Sequence, residues 1–296
     1  MFKILSAIII GSIGICYLYY KSYTFLKINY KTIHNEQLNF LDNDTGVCYM
    51  NATMQILYCG HGSRYFLNKD WPEDTVENKL KKTFLKMNTD LSINLYENYT
   101  EIYSCIGKNK EDLDKGGSTL VFFIHIFVKI LKNAERNGNM EEFEEYFTSL
   151  VDNLIVYFSY KKLCYLENKS TDEYETYNHL KEKFDGENLD VHSTIVNCVK
   201  DFKIFPKIIP IIIDDLAVKE RGGEFKVPEV EVFVEDKKYV LRSLLIRTEI
   251  QSGSHAYVIV NQGDSWVVLN DLVFYKIKEC DLKKHKYIHL MMYELE

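Results

Sequence analysis

In the segment Asn43-Asp44-Thr45-Gly46-Val47-Cys48-Tyr49-Met50-Asn51, a cysteine stands where a glycine-containing turn runs into a helix. Unpaired backbone N–H groups and the positive end of a helix stabilise a thiolate at such a point. Asn43, on the approaching loop, is placed to turn its amide toward the same spot and donate to an oxyanion. Taken alone, the segment describes a buried helix-end cysteine beside a turn asparagine equally well. The partners such a nucleophile needs lie near the other end of the chain, in Gly253-Ser254-His255 and Asn270-Asp271. Two strand-like runs flank a polar loop there, the signature of a hairpin. A turn centred between Gln262 and Gly263 pairs His255 directly with Asn270, so that Asn270, or its neighbour Asp271, holds the imidazole. A histidine that opens a strand opposite an orienting amide is a candidate general base.

The elements that must position these residues fall into two textures. Met50, Met54 and Leu57 recur at helical spacing, which predicts a helix starting just after Gly46 with one apolar stripe. Helical patterns also cover Val76 to Met87, Leu120 to Lys132 and Met140 to Ser159. From Phe205 onward the chain breaks into short β-branched or aromatic runs: Ile208 to Ile213, Val230 to Val234, Tyr239 to Arg247, Ala256 to Val260, Trp266 to Leu269 and Tyr287 to Leu295. Helices first and antiparallel strands later predict an α+β domain with its cleft between the two parts.

Composition limits the function classes. The 296 residues are 46% hydrophobic and 27% charged, within the globular range, and suffice for one large domain plus an appendage. A net charge of −7 argues against broad nucleic-acid binding, which rests on basic residues. The seven cysteines are scattered and form no C-x-x-C pair, which indicates neither a disulfide framework nor a cysteine zinc site. No metal or cofactor is expected. His61, His285 and His289 read as structural, the last two on one face of a strand with His285 at the surface and His289 in the core. The four N-x-[ST] sequons, at Asn43, Asn51, Asn98 and Asn168, carry no weight in a chain this rich in Asn, Ser and Thr.

Residues Ile4 to Tyr20 form an uncharged apolar run of 17, the lower limit for a spanning helix. Tyrosines cluster at its end as an interfacial belt would, and Lys3 and Lys21 can snorkel outward. Lys21, Lys27 and Lys31 outnumber Lys3 plus the α-amino group, which places the bulk of the protein on the cytosolic side of a membrane. The organisation expected is an anchor at 1–21, a juxtamembrane linker at 22–37 and a catalytic domain at 38–296. A cleaved signal peptide and a buried core helix are the competing readings of the apolar run.

The two chemistry-bearing segments resemble those of the ubiquitin-specific proteases. Cys48, Tyr49, Met50, Asn51, Gln55 and Leu57 fall in register with that family's cysteine box, roughly N-x-G-x-T-C-Y-M-N-S-x-x-Q-x-L. Gly253-Ser254-His255, Tyr257, Trp266 and Asn270-Asp271 are similar to its histidine box, G-[GS]-H-Y followed by W-x-x-F-[DN]-D. Phe205 to Ile213 and Tyr239 to Leu245 resemble two of its strands, and Gly116-Gly117-Ser118 with Phe122-Phe123 weakly resembles its Q-x-D-A-x-E-F region. The departures are Gly46 one position late, Val47 for threonine, Ala256 for tyrosine and Leu269 for phenylalanine.

The resemblance implies a papain-like cysteine protease fold of the ubiquitin-specific type. It implies Cys48 as nucleophile, His255 as general base and then acid, Asn270 as the residue orienting it with Asp271 as understudy, and Asn43 as oxyanion donor. The partners implied are ubiquitin and ubiquitinated proteins, with the membrane reached through the N-terminal helix. The family's zinc fingers have no counterpart in the lone Cys164 and Cys198. A catalytically inactive ubiquitin-binding pseudoprotease and a secreted papain-like protease are the alternatives.

Overall fold

The computed structural model describes residues 40–43, 46–89, 92–109, 111, 113, 117–147, 155–157, 192, 195–196, 199, 205–213, 229–250 and 253–296. The apolar run at 4–20 and the linker at 22–37 lie outside them. Among the described residues no helix is long and apolar enough to cross a membrane.

The N-terminal half is helical. After a two-residue strand β1 (Phe40–Leu41) come α1 (Cys48–Tyr58), α2 (His61–Leu67) and α3 (Val76–Thr89). Strand β2 (Ser92–Ile93), parallel to β1, then leads into α4 (Tyr96–Cys105), α5 (Thr119–Asn137) and α6 (Met140–Phe147). Helix α1 is the hub: all eleven of its residues are buried, because it packs against α2 and α5 on one side and the sheet on the other. The single apolar stripe expected for it is therefore only part of its packing surface. Around it the aromatic residues the composition supplied form the core, with Phe66, Phe84, Phe123, Phe127 and Phe143 fully buried. Helix α5 has a local start and stop. The Ser118 side chain accepts from the backbone of Val121, and Gly138, at φ 69°, ends it in a left-handed turn with the Asn139 N–H bonded to the Ala134 carbonyl at 2.9 Å.

The C-terminal half is a sheet whose strands are β3 (Ile155–Tyr157), β4 (Ile208–Ile213), β5 (Glu231–Val234), β6 (Lys237–Ile250), β7 (Gly253–Asn261), β8 (Trp266–Asn270), β9 (Val273–Ile277) and β10 (Ile288–Leu295). Their order is β3-β4-β10-β6-β7-β8-β9, with β5 paired to β6, and every pairing but β3 with β4 is antiparallel. Strand β4 is buried at all six positions, as a central strand built of isoleucine should be. Its Pro210 cannot donate to a ladder, and pairing with β3 begins one residue later, at Ile211.

Three expectations are corrected. The helix expected over Met140 to Ser159 is described over Met140–Phe147, and Ile155–Tyr157, a β-branched and aromatic triplet, pairs with β4 instead of continuing it. The turn joining β7 and β8 is centred between Gly263 and Asp264, one residue later than expected, with Asn261 opposite Trp266 and Val258 opposite Leu269. The Asn261 side chain, which accepts from the Gly263 N–H at 2.8 Å, holds that later turn. His285 is not in a strand, because Tyr287, at φ 63°, breaks the chain before β10 begins. Instead it is half-buried, and its Nδ1 lies 3.0 Å from the Tyr257 hydroxyl; His289 is buried in β10.

A buried carboxylate is among the contacts that tie the helical half to the sheet. The carboxylate of Glu294, buried on β10, accepts from the His61 N–H at the start of α2 at 2.7 Å, and Arg242 Nε lies 3.6 Å from its other oxygen. Gly60, at φ 72°, passes directly over this carboxylate, so any Cβ there would collide with it. Gly60→Ala is therefore expected to lower stability by about 3 kcal/mol, through the left-handed backbone and the displaced carboxylate together. Thermal unfolding should show the melting temperature falling by roughly 6–12 °C; a shift under 1 °C would refute this account of the junction.

Candidate active site

Cys48 is the first residue of α1 and is 9% exposed, at the point where the helix meets the sheet. The Val47 carbonyl accepts from Met50 and Asn51 to close the first turn, so Cys48 sits among the N–H groups that an α-helix leaves without intrahelical partners. His255, carried by β7, is the neighbour of Cys48, which is the largest influence raising that histidine's pKa. The imidazole is held from β8, where Asn270 Oδ1 lies 2.5 Å from His255 Nε2. His255 and Asn270 are diagonal neighbours rather than direct partners across the hairpin. They still meet, because displacing a strand's pairing by two positions keeps every side chain on its own face of the sheet.

Asp271 follows at the hairpin turn into β9, at φ 48°, a left-handed conformation that Asp adopts more readily than most non-glycine residues. Its carboxylate is half-buried and well occupied. Oδ2 accepts from Asn43 Nδ2 at 2.9 Å, and Oδ1 accepts from Asn51 Nδ2 at 3.2 Å. The distance from Oδ2 to His255 Nε2 is 3.6 Å, beyond a hydrogen bond. Cys48, His255, Asn270, Asp271 and Asn43 thus stand together, brought from both halves of the chain. Asn43 differs from expectation in one respect, since its amide already donates to Asp271.

The electrostatics follow from these contacts. The hydrogen bond that the charged imidazole donates to Cys48 pushes His255 up to about 9 against the opposing effect of burial, and Asn270 and the charge of Asp271 push the same way. Burial pushes the Asp271 carboxyl above its usual range, and the amides of Asn51 and Asn43 and the charge of His255 hold it back. A thiol bonded to an imidazole that is oriented by an amide can exist as a thiolate–imidazolium pair, the form that attacks a carbonyl and then protonates a leaving group.

Two residues of this cluster have no role assigned from the sequence, although Asn51 stands in the cysteine-box register. Asn51 lies one helical turn after Cys48 and is 2% exposed; besides Asp271 it bonds the Asp42 carbonyl at 3.0 Å. Burial with both amide hydrogens engaged leaves no room for a glycan on this sequon. Its spacing from Cys48 is the signal that could have found it. Tyr99, on α4, donates its hydroxyl to Asn51 Oδ1 at 2.6 Å, and nothing in its sequence neighbourhood marks it.

No protein-family model matches the sequence and no curated protein matches it. Among solved structures the chain is similar to an essential yeast splicing factor, at 12% identity over 87% of this chain and 69% of that one, with a TM-score of 0.56. It is similar to the Saccharomyces cerevisiae PAN2 pseudoubiquitin-hydrolase, at 11% identity over 88% and 86% of the two chains, with a TM-score of 0.56. It is also similar to a chain of the SAGA Ubp8/Sgf11/Sus1/Sgf73 DUB module bound to ubiquitin aldehyde, at 13% identity over 89% and 70%, with a TM-score of 0.53. The fold is thus that of ubiquitin-hydrolase domains, and at these identities the likeness is one of fold.

Proposed function

We propose that this protein is a deubiquitinating cysteine protease, which hydrolyses the peptide or isopeptide bond at the C-terminus of ubiquitin. The observation that carries the reading is the set of contacts joining Cys48, His255 and Asn270 at the junction of α1, β7 and β8. In this reading Cys48 Sγ attacks the carbonyl carbon, its proton resting on His255. The oxyanion is met by the Asn43 amide and the N–H groups that open α1. His255 gives its proton to the departing amine as the C–N bond breaks, leaving a thioester, and then takes a proton from the water that hydrolyses it. Asn270 keeps the imidazole aligned through both steps.

A second reading, a ubiquitin-binding domain without turnover, is favoured by the likeness to the PAN2 pseudoubiquitin-hydrolase. One experiment separates the two. Full-length protein incubated with ubiquitin carrying a C-terminal electrophile is expected to form a stoichiometric covalent adduct at Cys48. Binding without an adduct would establish the second reading, and neither binding nor adduct would overturn both.

We further propose that residues 4–20 anchor the protein with its catalytic domain facing the cytosol, where conjugated ubiquitin is found. The length of the run and the lysines that follow it support this. Resistance to carbonate extraction, together with digestion of the domain by protease added to intact organelles, is the expected result. Protection of the domain would reverse the orientation.

A further inference from the structure

Tyr99 is distant in sequence from Cys48, His255 and Asn270, and its side chain is completely buried. Its hydroxyl donates to Asn51 Oδ1 at 2.6 Å, which sets the rotation of the Asn51 amide. With the oxygen committed to Tyr99, Nδ2 faces the opposite way and spends its two hydrogens on the Asp42 carbonyl at 3.0 Å and Asp271 Oδ1 at 3.2 Å. The other Asp271 oxygen accepts from Asn43 Nδ2 at 2.9 Å. A line of hydrogen bonds therefore runs from α4 through α1 to the β8–β9 turn and back to the loop before Cys48.

This line ends on Asn43, not on the imidazole. His255 is held by Asn270 at 2.5 Å, and Asp271 stands 3.6 Å away from it. Asn43 Nδ2 has two hydrogens; Asp271 engages one and leaves the other to donate. Asn51 also grips the loop itself, through the carbonyl of the residue before Asn43. Asp271 stands at the β8–β9 turn with a left-handed backbone, and both its carboxylate oxygens are engaged by Asn43 and Asn51. Without the Tyr99 hydroxyl, Asn51 Oδ1 becomes a buried acceptor with no donor, and the amide loses the contact that fixes its rotation.

We propose that Tyr99 and Asn51 are positioning residues for oxyanion stabilisation, holding Asp271 so that its carboxylate fixes the Asn43 amide on the loop that leads into Cys48. This rests on the reading of Cys48 as a nucleophile toward carbonyl groups. The role predicts a split between two reactions of the same thiol. Acylation by p-nitrophenyl acetate passes through a tetrahedral oxyanion and needs Asn43, whereas alkylation by iodoacetamide displaces iodide at carbon, forms no oxyanion and needs only the thiolate.

Both rates are measured on the full-length protein, with the Cys48→Ala protein supplying the background from the other cysteines. Tyr99→Phe is expected to slow acylation about five- to tenfold and to leave alkylation within about twofold. Asp271→Asn should slow acylation as well, and adding Tyr99→Phe to it should have little further effect, since the line is already cut. If Tyr99→Phe loses cooperative unfolding, Asn51→Ala cuts the same line from its other side and should give the same split. Unchanged acylation, equal slowing of both reactions, or independent multiplication of the Tyr99 and Asp271 effects would each overturn the proposal. Neither reagent contains ubiquitin, so a wild-type protein inert toward ubiquitin would sink the proposed function and leave this test readable.

Discussion

Cys48→Ala is expected to reduce release of ubiquitin from a C-terminal fluorogenic amide by about 10⁴-fold or more, because covalent catalysis is lost and among the described residues no other thiol stands at His255. The fold should tolerate the change. Cys48 is a small side chain at the first position of α1, and the first turn closes through the Val47 carbonyl, which the substitution does not touch. Alanine is also the best helix former, so the stability lost should stay within about 1 kcal/mol. Ubiquitin affinity should be retained, since the thiol contributes to the reaction rather than to the area of contact. Turnover, the unfolding midpoint and ubiquitin binding are measured on the same preparation. Residual turnover within tenfold of wild type would remove Cys48 from the mechanism.

Legibility in the sequence followed the range of the interactions that build each element. The start of α1 was legible because its signals, Gly46 followed by Met50, Met54 and Leu57, are local. Most strands of the sheet were legible for the same reason, being short β-branched runs between breakers. Helix α2 was not: His61-Gly62-Ser63-Arg64 is a poor helical sequence, and its first N–H is capped by Glu294 from the far end of the chain. Helix α4 buries only Tyr99, Ile102 and Tyr103, so its inward face is mostly tyrosine and reads as half polar. Strand β9 lies at the sheet edge with Val273 and Tyr275 about half exposed, and shows no alternation. The hairpin register depended on a side-chain bond from Asn261, which residue types alone do not reveal. At the site, a motif marks residues that touch the reaction. Tyr99 acts through Asn51 and Asp271, a relation that exists only once three separate elements have packed.

His255→Ala is expected to lower kcat/KM for ubiquitin substrates by about 10²–10⁴-fold, the range over which a positioned acid or base acts, and to slow alkylation of Cys48 at neutral pH. Both effects have one cause: in the proposed mechanism His255 is the group that takes the proton the nucleophile gives up, and its removal leaves that proton without an acceptor at the site. The sign of the pH dependence follows. With His255 pushed up to about 9, the imidazolium persists through neutral pH and is lost only as pH rises through that value. Wild-type kcat/KM should therefore hold through neutrality and decline on an alkaline limb near pH 9, where the acid that protonates the leaving amine disappears. Asn270 and Asp271 both favour the charged imidazole. Asn270→Ala, which removes the nearer of the two, should move that limb to lower pH as well as reduce the maximum. Asp271→Asn keeps the amide–imidazole bond and, as felt by His255, removes a charge 3.6 Å away, so it should move the limb less even though it slows acylation through Asn43. A pH–rate series on the three proteins decides the matter: an alkaline limb that stays where it is when Asn270 is lost would show that His255 is not the group titrating there.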